Sequence, residues 1–144
     1  MPQCYLLAPT VGSSLDQQTN NVSLFTLVEQ VNVPPEAPPP PGAKVPLEVH
    51  AYFRVEAWEI GQTLEIRFVL RGPGGLETFS DLVTHRVSAG RFRTRTLGLD
   101  APPSLGHYDL CVETRIAGTS EWQRDSLAWP ISFLEVSRAP TMTH

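Results

Sequence analysis

The chain has one lysine, Lys44, and two cysteines, Cys4 and Cys111. It has no charged leader ahead of an apolar stretch, and no apolar run approaching the ~18 residues of a membrane-spanning helix. Each absence removes a class of function. With so few cysteines and no sign of secretion, a disulfide framework is not expected, and both thiols should be free in a cytoplasmic protein. A net charge of −4 has the wrong sign for general affinity to nucleic acid or to an anionic membrane surface.

Catalytic and metal-binding signatures are missing as well. There is no Gly-x-Ser-x-Gly elbow. His50, His85 and His107 stand singly rather than at zinc-ligand spacing, and Asp16, Asp81, Asp100, Asp109 and Asp125 form no Asp-x-Asp pair for calcium. Gly72-Pro73-Gly74-Gly75 lacks the Lys-Ser/Thr of a phosphate loop and reads as a chain reversal. His107, Asp109 and Cys111 could share one strand face. Strand geometry spreads such residues by ~6.6 to 7 Å per step of two, and a polar outer face explains them without catalysis. The expectation is no enzyme, no metal and no cofactor.

What the sequence does contain is proline, glycine and alternation. Fourteen prolines and ten glycines in 144 residues suit strands joined by turns far better than helices. Leu47, Val49, Ala51, Phe53 and Val55 alternate with Glu48, His50, Tyr52, Arg54 and Glu56, and Leu64, Ile66, Phe68 and Leu70 alternate with Glu65 and Arg67. Period two predicts two half-buried strands, expected as a hairpin, with Glu48, His50 and Glu65 facing solvent. Further strands are expected at 4–8, at 76–87, at 91–99, at 107–116 and at 122–136, with Pro130 marking an edge position or a bulge. At 22–33, Leu24, Leu27, Val28 and Val31 also fit helical spacing, but the β-branched residues favour a strand. About eight strands at this spacing predict an all-β antiparallel sandwich. One domain over 1–137 is expected, with a polyproline connection at 34–44 and a flexible tail at 138–144.

Gly106-His107-Tyr108-Asp109-Leu110-Cys111-Val112 has the Gly-x-Tyr-x-Leu-x-Val form found near the penultimate strand of immunoglobulin-like and fibronectin-like sandwiches. Together with the turn Asp16-Gln17-Gln18-Thr19-Asn20-Asn21 and the following Val22-Ser23-Leu24-Phe25, it is similar to a family of short uncharacterised bacterial proteins. In that family an opening hairpin precedes such a sandwich. The resemblance implies an immunoglobulin-like fold and a fold-stabilising role for the Tyr108 hydroxyl, and it carries no activity.

Arg91, Arg93 and Arg95 are the one charge feature repeated at a fixed interval. Spacing of two puts all three guanidinium groups on one strand face, either as a solvated outer surface or as an interaction stripe. Glu113 and Glu77 are the carboxylates expected to neutralise them within the fold. The sequence therefore points to a non-enzymatic interaction module whose partner is another protein or a second copy of the chain, ahead of any small-molecule ligand. A carbohydrate-binding module using Tyr52, Trp58, Trp122 and Trp129 as a stacking platform is the alternative.

Overall fold

The computed structural model describes residues 1–34, 40 and 43–135. The tail expected at 138–144 and most of the expected polyproline connection lie outside the described residues. Ten strands are described: β1 Gln3–Asp16, β2 Asn21–Leu27, β3 Gln30–Val33, β4 Lys44–Arg54, β5 Thr63–Arg71, β6 Glu77–Phe79, β7 Val83–Arg86, β8 Arg91–Asp100, β9 Gly106–Ile116 and β10 Gln123–Glu135. They form two sheets, in the orders β2-β1-β4-β8 and β3-β10-β9-β5-β6, with β7 also paired to β5. The only helical pieces among the described residues are two short 3-10 turns, at Ala57–Glu59 and Pro73–Gly75.

The period-two faces meet across one core. Leu47, Val49, Ala51 and Phe53 of β4 oppose Ile66, Phe68 and Leu70 of β5, Leu110 and Val112 of β9, and Ile131 and Phe133 of β10. Each of the largest of these side chains contributes roughly 1.5–3 kcal/mol by leaving water. This arrangement corrects the expected hairpin of the two clearest strands. β4 pairs with β1 and β8, whereas β5 pairs with β9, β6 and β7. Two strands that each carry a continuous apolar face bury more by facing each other across the core than by lying side by side. The connection 55–62 crosses between sheets, and the fully buried Glu59 holds its turn by accepting the Glu56 backbone N–H at 2.9 Å.

Residues 22–33 are strand rather than helix, but the segment divides. β2 closes an antiparallel hairpin with β1 through a turn in which Asn20 takes a positive φ of 60°. β3 crosses over and lies parallel to β10. The expected strand at 76–87 divides too, into β6 and β7. Between them Ser80 closes on β5, its backbone N–H donating to Phe68 O and its hydroxyl accepting the Phe68 N–H.

No bulge falls at Pro130; the irregularity in the β9–β10 ladder lies upstream, between Arg124 and Ala128. The proline sits one step before β3 joins at Ser132, whose N–H reaches outward to Glu29 O. Residues 130 and 132 point the same way, so the missing proline donor falls on a side of β10 where β3 has not yet begun.

Tyr108 enters the core near the start of β9 and donates its hydroxyl to Ser104 O at 2.6 Å, four residues upstream. Gly72 is needed beside it, because a Cβ there would overlap the edge of the Tyr108 ring.

Candidate functional site

β8 is the last strand of its sheet, and its register with β4 decides where the arginines go. Arg91, Arg93 and Arg95 stand opposite Arg54, Tyr52 and His50, all on the face turned away from the core. Phe92, Thr94 and Thr96 take the other face, opposite Phe53, Ala51 and Val49.

The three arginines have different partners. Arg95 grips Glu48 with both arms, Nε to Oε1 at 3.0 Å and Nη2 to Oε2 at 2.6 Å. Arg93 donates to Asn20 Oδ1 at 2.8 Å, at the tip of the β1–β2 hairpin, and lies over the Tyr52 ring. Arg91 has no ion pair among the described residues, and its cross-strand neighbour is another cation, Arg54. Glu113 and Glu77 do not neutralise the stripe. They lie on β9 and β6 of the other sheet, where Glu113 pairs with Arg67 and Arg124, and Glu77 with Arg124.

Glu48 and His50 overturn their expected exposure, since both are buried on the outer side of the sheet. β1 is the cause. It runs beside β4 only as far as Thr10, then continues to Asp16 paired with β2 alone. This overhang folds back over the outer face, so that Ser13 Oγ donates to Glu48 Oε1 at 2.7 Å, while His50 Nε2 lies 3.0 Å from the same oxygen. Donors from Arg95 and then Ser13 hold the Glu48 carboxyl down to about 2, and Arg95 is raised in return. Glu48 is thus a permanent anion at neutral pH rather than a general base. The order Ser–Glu–His is also wrong for hydrolytic catalysis, which requires the imidazole between hydroxyl and carboxylate.

Between the hairpin and β8 runs a trough. One end, about 430 Å³, is lined by Ser13, Leu15, Val22, His50 and Arg95. The other, about 810 Å³, is lined by Tyr5, Arg54, Arg91 and Phe92, and both ends share Tyr52 and Arg93. Tyr5 and Tyr52 meet edge to face at 6.1 Å, with Arg54 over the Tyr5 ring at 5.6 Å. Four guanidinium groups line a trough on a chain whose net charge is −4, and only that of Arg95 is paired to a carboxylate, the buried Glu48. Such a surface attracts anions, and its aromatic floor offers flat apolar area between the charges.

The remaining candidates are not brought together. His107 Nδ1 lies 2.6 Å from Ser132 Oγ, Asp109 pairs with Arg71, and Cys111 is buried. Burial raises both thiols, that of Cys4 to about 11, which makes them poor nucleophiles. Among the described residues no three His, Cys, Asp or Glu side chains could hold a metal, and no helix is long and apolar enough to cross a membrane.

Nor do the four aromatics of the carbohydrate reading assemble. Trp122 lies under Arg67 and Arg115 on the second sheet, Trp129 packs against the core and donates to Val28 O, and Trp58 is exposed on the 55–62 connection. Tyr52 alone belongs to the trough. No protein-family model and no curated protein matches this chain.

Proposed function

We propose that the chain is a non-enzymatic interaction module, built on an immunoglobulin-like sandwich, that docks an acidic segment of another protein in the arginine-lined trough. One observation carries this reading. Arg67, Arg71, Arg95, Arg115 and Arg124 are each ion-paired, whereas Arg54, Arg86, Arg91 and Arg93 have no carboxylate among the described residues, and three of those four line the trough. A fold that pairs its cations elsewhere leaves these for an anion from outside. Guanidinium suits carboxylate by its planar, two-armed donor geometry.

The immunoglobulin-like assignment is supported by strand adjacency. β1-β4-β8 facing β10-β9-β5-β6 matches the A-B-E and G-F-C-C′ orders of such sandwiches, and the Tyr108 bond to Ser104 O matches their tyrosine corner. Two free thiols support a reducing, cytoplasmic setting.

The test is a titration of the full chain with polyglutamate and with polylysine. Polyglutamate should bind and weaken as salt rises from about 50 to 300 mM, while polylysine should not bind. The combined change Arg54→Ala, Arg91→Ala and Arg93→Ala should abolish the interaction chiefly by slowing association. Equal binding by the substituted chain would reject the trough as the docking site.

A further inference from the structure

We infer that the acidic partner is an extended segment that adds to the open edge of β8 as a fifth strand of the first sheet, with its acidic residues at alternate positions. The inference rests on the proposed trough and specifies how it is read.

The main chain carries the argument. Gly90 O accepts the Val55 N–H at 2.9 Å, immediately before the Arg91–Arg54 pair of the β4–β8 register. In an antiparallel ladder the N–H and C=O of one residue point the same way, and successive residues point opposite ways. Phe92, Thr94 and Thr96 therefore bond back to β4. Arg91, Arg93, Arg95 and Leu97 direct their N–H and C=O groups outward, where the sheet ends among the described residues. The residues offering unpaired main-chain groups are thus the ones whose side chains form the stripe.

An antiparallel strand laid along this edge would place one of its side chains directly opposite each arginine, on the same face. Arg91 and Arg93 call for carboxylates there. Arg95 is already neutralised by Glu48 and calls for none, and Leu97, 65% exposed, calls for an apolar residue. Charged edge strands ordinarily protect a sheet against unwanted pairing. Here the protection is selective: two copies of β8 paired antiparallel about Arg93 would set Arg91 against Arg95 and Arg93 against itself. An acidic strand meets no such repulsion, so charge excludes a second copy of the chain and favours a different, acidic partner.

The test uses the full chain and three end-blocked heptapeptides of equal charge. The first, Val-Thr-Thr-Thr-Glu-Thr-Glu, sets Val opposite Leu97, Thr opposite Arg95 and its two alternate Glu residues opposite Arg93 and Arg91; the second has the same residues with its two Glu adjacent, so that only one can face an arginine; and the third is the first methylated at its Glu backbone nitrogens. The alternating peptide should bind at least about tenfold more tightly than either control, and Arg91→Ala with Arg93→Ala should weaken it by about tenfold or more. Amide hydrogens of Arg91, Arg93 and Arg95 should gain exchange protection on binding, while those of Phe92 and Thr94 are protected already. If all three peptides bind equally and all lose affinity in the substituted chain, strand addition is overturned and the trough reading stands. No binding by any peptide at about 1 mM overturns both. Concentration-dependent dimerisation that protects the β8 amides without peptide would overturn the acidic partner in favour of a second copy.

Discussion

Glu48→Gln keeps the size of a buried side chain and removes its charge, so it isolates what the Ser13–Glu48–Arg95 network contributes to stability. A carboxyl lowered from 4.5 to about 2 corresponds to at most ~3.4 kcal/mol of preferential stabilisation of its charged form, at about 1.36 kcal/mol per pH unit. That ceiling must be reduced. The Glu48 side chain is only 12% exposed, but Arg95 is 53% exposed, and water screens its half of the pair. About 1.5–2 kcal/mol is the expected loss at pH 7.

The sign follows from the direction of the shift. A carboxyl held below its unfolded value stabilises the fold above pH 4.5, and that contribution fades as pH falls toward about 2. Urea unfolding of both proteins, followed by tryptophan fluorescence at intervals from about pH 7 to pH 3, should therefore give stability curves that converge in acid. A loss below about 0.5 kcal/mol, constant across that range, would return Glu48 to the solvent-facing role its alternation suggests and would refute the buried network.

Three further outcomes are expected. Tyr108→Phe should lower stability by about 1–2 kcal/mol in urea unfolding, because it strips the Ser104 carbonyl of its 2.6 Å donor; an unchanged midpoint would show that the corner bond is unimportant. Val49→Asp or Phe68→Asp should leave no cooperative unfolding transition, since both positions are buried in the core, while Glu65→Ala, which removes the half-buried outer-face partner of Arg115, should lower stability by only about 0.5–1 kcal/mol. Cys4 and Cys111 should resist a thiol reagent at neutral pH until denaturant is added, and prompt reaction of the native chain would contradict their burial.

Much of the fold is legible because alternation reports burial directly. Val49, Ala51 and Phe53, or Ile66, Phe68 and Leu70, can be assigned to the core from their spacing alone, and Tyr108 can be assigned its bond from the glycine-led motif around it. Alternation does not report which strand lies beside which. β4 and β5 are consecutive, equally apolar on one face and joined by eight residues, yet they belong to different sheets. The pattern that predicts a hairpin is the same pattern that two strands facing each other across a core must carry. Pairing is set instead by the whole arrangement, including β1 and β8 flanking β4, which no local window contains.

The site divides along the same line. Arg91, Arg93 and Arg95 are found on one face because period two places them there, and the face is correct. Their environment is not local. Glu48 lies 47 residues before Arg95, Asn20 lies 73 before Arg93, and Ser13 reaches Glu48 only because β1 outruns its partner β4 at Thr10. In the sequence that overhang is not legible: the turn residues 16–21 mark where the strand must reverse, but nothing marks how far it extends past Ala8 or where its pairing with β4 ends. The overhang turns an outer face into the wall of a trough. It buries Glu48 and His50, neutralises Arg95, and brings Asn20 to Arg93 while Arg91 and Arg54 are left without a carboxylate among the described residues. A stripe of three equal charges on one strand thus becomes three unequal positions: one paired to a carboxylate, one steered by the hairpin tip, and one with no ion pair among the described residues.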